Sequence, residues 1–155
     1  MIREATDADF DSVIVGQAPD GLKLPGEPIE SPEILAMLRE LARGIRPHFT
    51  PASWFILDGP EIVGLCSLVK QPDGPAIDIG YGIAESRRGR GLASAGVAAV
   101  LEWARRDDRV GVVRAECGVD NPASQKVLER NGFAPVGERI DPEDGPVICW
   151  ETAAG

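Results

Sequence analysis

Arg87, Arg88 and Arg90, with Gly89 and Gly91 set among them, are the residues in this chain whose type and spacing could hold an anion. They lie between two patterned segments. Ile77, Ile79, Tyr81 and Ile83 alternate with Asp78, Gly80 and Gly82, the period of a strand with one face on a core. Beyond the glycines, Ala93, Val97, Val100, Leu101 and Ala104 recur at helical spacing. The basic turn therefore opens a helix, where the first backbone N–H groups lack partners and the dipole is positive. Phosphate oxygens can satisfy those donors where no Cβ stands in the way, and Gly89 and Gly91 clear the approach. Two better-known phosphate loops are excluded. A Walker loop needs Gly-x-x-x-x-Gly-Lys-Ser/Thr, which does not occur, and a dinucleotide fingerprint would place Gly or Ala where Ser94 stands.

The rest of the chain must position that turn. At 155 residues with 43% hydrophobic side chains, one globular domain over residues 1–155 is expected. The sequence contains no run long and apolar enough to span a membrane and no basic-then-apolar leader at Met1, so the expected location is the cytoplasm, without membrane contact. Cys66, Cys117 and Cys149 are odd in number and lie in apolar runs, which suits buried strand thiols and offers no metal site. A net charge of −9 repels polyanions and argues against nucleic acid as a partner. A locally basic loop in an acidic protein fits one small anion.

Taken in order, Met1 to Ala5 reads as a strand and Ala8 to Gln17 as a helix behind a Thr6-Asp7 cap. Ala18 to Glu30 carries too many Pro and Gly residues to be anything but a loop. Ser31-Pro32-Glu33 opens a second helix that Pro47 stops. Ser53 to Leu57 and Glu61 to Val69 form a hairpin about Asp58-Gly59-Pro60, and Val110 to Val119 gives a later strand. Asn121 as cap, Pro122 in the first turn and Gly132 past the end bound a short helix, after which Ala134 to Ile140 and Pro146 to Thr152 read as strands.

Arg88-Gly89-Arg90-Gly91-Leu92-Ala93 satisfies the pattern Arg/Gln-x-x-Gly-x-Gly/Ala, and Asn121-x-x-Ser124 followed by Leu128-Glu129-x-x-Gly132-Phe133 forms a second block. Together, in this order and spacing, they resemble the GNAT superfamily of N-acetyltransferases, above all the ribosomal-protein-alanine N-acetyltransferase branch. The resemblance covers Ile77 to Phe133 well and the N-terminal half by element order alone. It implies an α/β (α+β) fold: a mixed, mainly antiparallel sheet of six or seven strands with helices on both faces, splayed between the fourth and fifth strands. It also implies acetyl-CoA as cosubstrate, held by Ile83, Arg88, Gly89, Arg90, Gly91, Leu92, Ala93, Asn121 and Ser124. The pantetheine arm would lie along the fourth strand, where Gly80 and Gly82 leave room.

The implied chemistry is direct attack by a primary amine, in a ternary complex, on the acetyl thioester. A backbone N–H near Ile83 would polarise the carbonyl. Many family members use a Tyr as the acid that meets the leaving thiolate, but Leu128 occupies that place here. Ser124 is the substitute, unless its hydroxyl only bonds the backbone of its own first turn. Glu116 and Asp78, on the strands flanking the splay, are the candidate bases. Tyr81 is expected in the cleft wall and His48 at the surface. The acceptor would be a protein or peptide N-terminus or a small amine, approached through residues 16–49, where Asp20, Glu27, Glu30, Glu33 and Glu40 gather negative charge. The alternative is a non-catalytic module that binds or senses acyl-CoA. A monomer and a homodimer are equally compatible with the sequence.

Overall fold

Three of the four α-helices start where a side chain closes the first turn. In the computed structural model, which describes residues 1–154, Thr6 and Asp9 form a reciprocal capping box on α1 (Asp7–Ile14). Ser31 accepts from Ile34 N–H at the head of α2 (Pro32–Ile45), and Asn121 accepts from Ser124 N–H at the head of α4 (Pro122–Arg130). The fourth, α3 (Leu92–Arg105), begins at Gly91 with no side-chain cap. The first helix is shorter at its C-terminal end than its pattern suggests. It stops at Ile14, and the Gly16 and Gln17 N–H groups fold back onto Val13 and Ser12 carbonyls.

The strands are β1 (Ile2–Glu4), β2 (Ser53–Asp58), β3 (Glu61–Leu68), β4 (Ala76–Ile83), β5 (Val112–Gly118), β6 (Ala134–Asp141) and β7 (Gly145–Ala153). They form one seven-stranded sheet in the order β1-β2-β3-β4-β5-β7-β6. Every neighbouring pair is antiparallel except β4 and β5, which run parallel. The mixed, mainly antiparallel sheet with helices on both faces agrees with the sequence reading, with seven as the strand count.

Register assigns each residue to a face. Trp54 opposes Cys66, which opposes Tyr81; Phe55 opposes Leu65, which opposes Gly82. Trp54, Ile56, Cys66, Ile79 and Ile83 pack with Val97, Val100 and Leu101 of α3 and Leu128 of α4. Phe55, Leu57 and Leu65 pack instead with Phe10, Val13 and Leu35 of α1 and α2. One face therefore belongs to α3 and α4 and the other to α1 and α2. Gly96 lets α3 lie directly on the sheet, since a Cβ there would stand 2.6 Å from the Ile56 Cδ1 atom.

The parallel pair is short. β4 and β5 pair from Ala76 with Val112 to Ile79 with Ala115 and then diverge, so Gly80–Ile83 and Glu116–Gly118 face an open gap. Leu128 of α4 is wholly buried in the core on the α3/α4 face. Leu128→Ala should destabilise the protein by about 2–5 kcal/mol, the usual cost of emptying a filled core site. A urea midpoint unchanged within error would show that the helix does not depend on this anchor.

Candidate functional site

The gap between β4 and β5 opens on the α3/α4 face into a cavity of about 650 Å³. Its floor is Tyr81, Gly82 and Ile83, one rim is Gly89, Gly91, Leu92, Ala93 and Ser94, and the other rim is Asn121, Ser124 and neighbouring α4 residues. Gly89 and Gly91 take left-handed backbone angles, φ 81° and 75°, which lets the turn feed α3 without a side chain on the cavity side. The first N–H groups of α3 have no side-chain cap, so an anion in front of them would find donors and the positive end of the dipole. The turn is braced from beneath. Arg87 forms a two-point ion pair with Glu61, at 2.5 and 3.1 Å, which holds that carboxyl below its usual range, and Glu27 accepts from Ser86 N–H at 2.7 Å.

The charge distribution singles out the same place. Of the 16 Lys and Arg side chains, only Lys23, Arg88, Arg90, Lys126 and Arg130 form no ion pair among the described residues. Arg88, Lys126 and Arg130 all line the cavity. Arg88 also donates through Nε to the Ile83 carbonyl at 3.1 Å, tying the loop to the end of β4. Arg90 is exposed and does not line the cavity. Lys126 and Arg130 lie one helical turn apart on α4, a spacing readable in the sequence whose meaning needed the cavity to become visible.

Backbone donors also point into the gap. Val69 N–H bonds the Asp78 carbonyl and Ala84 N–H bonds the Val63 carbonyl, so even-numbered residues from 78 to 84 face β3. By the alternation of an antiparallel ladder, the Tyr81 and Ile83 N–H groups point the opposite way, toward the space that β5 has left.

At the inner end of the cavity the Tyr81 hydroxyl lies 2.7 Å from the Ser124 hydroxyl and donates to the Ser124 carbonyl at 3.2 Å. Ser124 therefore does not spend its hydroxyl on its own first turn; Asn121 caps that turn instead. Burial pushes the Tyr81 hydroxyl up to about 12, so it stays protonated at neutral pH. This contact across the gap joins residues 43 positions apart, and no sequence pattern announces it.

The two carboxylates lie on the opposite face. Asp78 is opposite Arg114 in the paired part of β4 and β5, and Arg114 holds it with bonds of 3.0 and 2.8 Å. Asp78 lines none of the cavities that meet at Tyr81. Glu116 is the first β5 residue past the last β4 partner and lines a cavity of about 420 Å³ with Gly80, Tyr81, Asp120 and Asp144. The Arg139 guanidinium grips Glu116 at 2.5 and 2.6 Å and holds its carboxyl below the usual range. His48 is exposed at the far end of α2, and Cys66 and Cys117 are buried, with Cys149 half-buried. Glu40 is paired with Arg39 and Arg43, and Glu27 is tied to Ser86, so part of the N-terminal acidity is already neutralised or bonded.

The model of the acetyltransferase (GNAT) domain matches residues 1–134. An N-acetyltransferase of unassigned role from Bacillus subtilis (strain 168) is 36% identical over 84 residues, 52% of this chain and 50% of its own length. A ribosomal-protein-serine acetyltransferase from Escherichia coli (strain K12) is 31% identical over 81 residues, 52% of this chain and 45% of its own. The chain thus spans about half the length of the curated relatives it matches. Among solved structures, a ribosomal L7/L12 alpha-N-protein acetyltransferase in complex with coenzyme A superposes with TM-score 0.72 at 22% identity, covering 98% of this chain and 92% of that one. A spermidine N-acetyltransferase chimera from Vibrio cholerae and hSSAT gives 0.72 at 15% identity, covering 99% and 95%. The AAC(6')-Ib complex with ribostamycin and coenzyme A gives 0.71 at 19% identity, covering 99% and 92%. At these identities the superpositions speak for the fold, and the domain model, which takes in most of the sequence, supplies the lineage: this chain belongs to the GNAT acetyltransferase family.

Proposed function

We propose that the protein transfers an acetyl group from acetyl-CoA to a primary amine. The observation that carries this reading is the cavity that joins an uncapped helix N-terminus and three unpaired cations to a hydroxyl pair inside a split sheet. The residues fit the cosubstrate. The pyrophosphate would meet the N–H groups following Gly89 and Gly91, with Arg88 beside them. Lys126 and Arg130 add positive charge on the α4 rim. The amide-bearing arm would run toward Tyr81 along the edge of β4 that β5 leaves unpaired.

Within the gap, the Tyr81 and Ile83 N–H groups are placed to stabilise negative charge on the thioester oxygen as the amine attacks the acetyl carbon. When the carbon–sulfur bond breaks, Ser124 gives its proton to the departing thiolate and recovers one from the Tyr81 hydroxyl beside it, while the proton shed by the attacking nitrogen as it becomes an amide returns to Tyr81 through solvent, so both hydroxyls end protonated. Amine and thiolate thus stand on opposite faces of the sheet. On the amine's side Glu116 is the one of the two candidate carboxylates that borders a cavity at Tyr81. Held ionised by Arg139, it is too weak a base to take the amine's proton and only lends negative potential to that side, so the amine loses its proton to water before attack. Asp78, spent on Arg114, has no part in this reading.

Thiol release in the presence of acetyl-CoA and a panel of amines tests the proposal directly. Saturable cofactor binding with no thiol from any amine would instead make the protein an acyl-CoA binder. Gly91→Val should weaken coenzyme A binding at least tenfold by calorimetry, because each donor lost to a charged group costs about 1.5–3 kcal/mol. Unaltered affinity in a folded variant would remove the helix terminus from the site. Ser124→Ala should lower kcat by roughly 10- to 1000-fold and Tyr81→Phe by a smaller factor, with cofactor affinity little changed in either. A Ser124→Ala enzyme within twofold of the parent would leave that hydroxyl without a role in transfer.

The pH profile carries the sign of these assignments. Glu116, lowered by Arg139, is ionised across the neutral range and gives no limb there. The limb of kcat/KM should instead rise with pH through the acceptor's own pKa, about 8 for a peptide N-terminus and about 10 for an alkylamine. A limb at the same pH for both acceptors would mean that a group of the protein titrates there.

A further inference from the structure

A third cavity meets Tyr81, on the α1/α2 face, and it is of a different chemical kind. It encloses about 210 Å³ between α2 and the β3–β4 pair. Ile29, Ile34, Leu38, Leu65 and Val69 form its aliphatic wall. Ile34 and Val69 are 39% and 43% exposed, so two of the large apolar side chains that this protein leaves in water look into the same hollow. Isolated exposed hydrophobes are ordinary, but their convergence on one concavity marks a place where something apolar is bound. The floor is Gly80, Tyr81 and Gly82, so whatever fills the hollow lies against the strand where transfer is assigned.

One carboxylate enters this wall. Glu30 is half-buried, and its Oε1 accepts from Ser31 N–H at 3.0 Å; it forms no ion pair among the described residues. That separates it from Glu116 across the gap, which already has Arg139 as its ion partner. An unpaired carboxylate beside an aliphatic wall recognises a cation attached directly to an apolar group.

We infer that this cavity seats the aliphatic substituent of the acceptor and that Glu30 receives its ammonium group. The acceptor is then a primary amine on a compact aliphatic skeleton, either an alkylamine or a peptide N-terminus whose first side chain is aliphatic. The inference rests on the acetyl-transfer reading above. It is selective in two ways. An aliphatic group leaves water on entering, whereas a second ammonium of a polyamine would be set against Ile34, Leu38 and Leu65 with no partner. The hollow is also smaller than the roughly 300–1,000 Å³ that encloses a drug-sized ligand, so it suits a side-chain-sized group and not an oligosaccharide. The acidic cavity lined by Glu116, Asp120 and Asp144 supports the rival class, a polyamine, and the test separates the two.

The protein loaded with coenzyme A is titrated by calorimetry with isopentylamine, with a Leu-initiated tripeptide amide and with spermidine. Either aliphatic amine is expected to bind at least tenfold more tightly than spermidine, and the tighter of the two identifies an alkylamine or a chain terminus as the source. Val69→Trp, which fills the hollow from an exposed position, should weaken the aliphatic amines at least tenfold, and Glu30→Gln should weaken all three. Ile34→Trp gives a second filling variant, and coenzyme A affinity in each variant should stay within twofold of the parent. Tighter binding of spermidine, or aliphatic binding indifferent to both filling variants, would overturn the inference. Thiol release measured with the same amines tests the transfer reading separately.

Discussion

The parting of β4 from β5 beyond Ile79 and Ala115 is the constraint on which the rest of the structure depends. Backbone groups at the centre of a sheet normally find partners on both sides, and leaving one buried and unmade costs about 1–3 kcal/mol. Tyr81 and Ile83 point such groups into the gap, and cavities border the gap on the α3/α4 side and beside Glu116. Around it the chain supplies substitutes for the missing strand. The Tyr81 side chain reaches across to Ser124, and the Arg88 side chain takes the Ile83 carbonyl. Below it, the Asp78–Arg114 pair clamps the last turns of the parallel ladder. The split is therefore bounded by bonds and has a definite depth.

Charge follows the same logic. In a protein of net charge −9, most basic side chains are matched to a carboxylate, and Arg87 and Arg139 serve as props for Glu61 and Glu116. The three cations that line the cavity without an ion partner among the described residues stand out for that reason rather than by number. A local excess of positive charge in a globally acidic molecule favours a small, highly charged anion over an extended one, because only the small one escapes the repulsion of the remainder.

Much of this was legible in the sequence, and the reasons are local. The strand, the glycine-broken basic turn and the helix after it are written in neighbouring residues, each with its own periodicity, so the family resemblance, and with it a sheet of six or seven strands, followed from short stretches. Helix starts were equally plain at Thr6, Ser31 and Asn121, where one residue makes the cap. What could not be read were partners distant in the chain. Nothing near Asp78 or Glu116 reveals that Arg114 and Arg139, 36 and 23 residues away, occupy them. Tyr81 read as a wall because its alternation is that of a core strand; that its hydroxyl projects past the core to Ser124 depends on how far the two strands part. Glu30 was one of five acidic residues on the expected acceptor side and nothing set it apart from the others, since a carboxylate in a Pro-rich loop looks solvated until α2 sets aliphatic side chains around it.

Tyr81 also lines cavities on both faces of the sheet, one with its mouth under α3 and α4 and another with its mouth under α2. Two ligands entering from opposite mouths do not obstruct each other, and each can leave while its neighbour stays. The same geometry sets the terms for chemical ligands of this protein. A single molecule reaching past Tyr81 from one cavity to the other would engage both mouths through a short tether. Joining two modest binders over so short a distance raises the effective concentration of the second to the millimolar range. A molecule made for either mouth alone would forgo that gain.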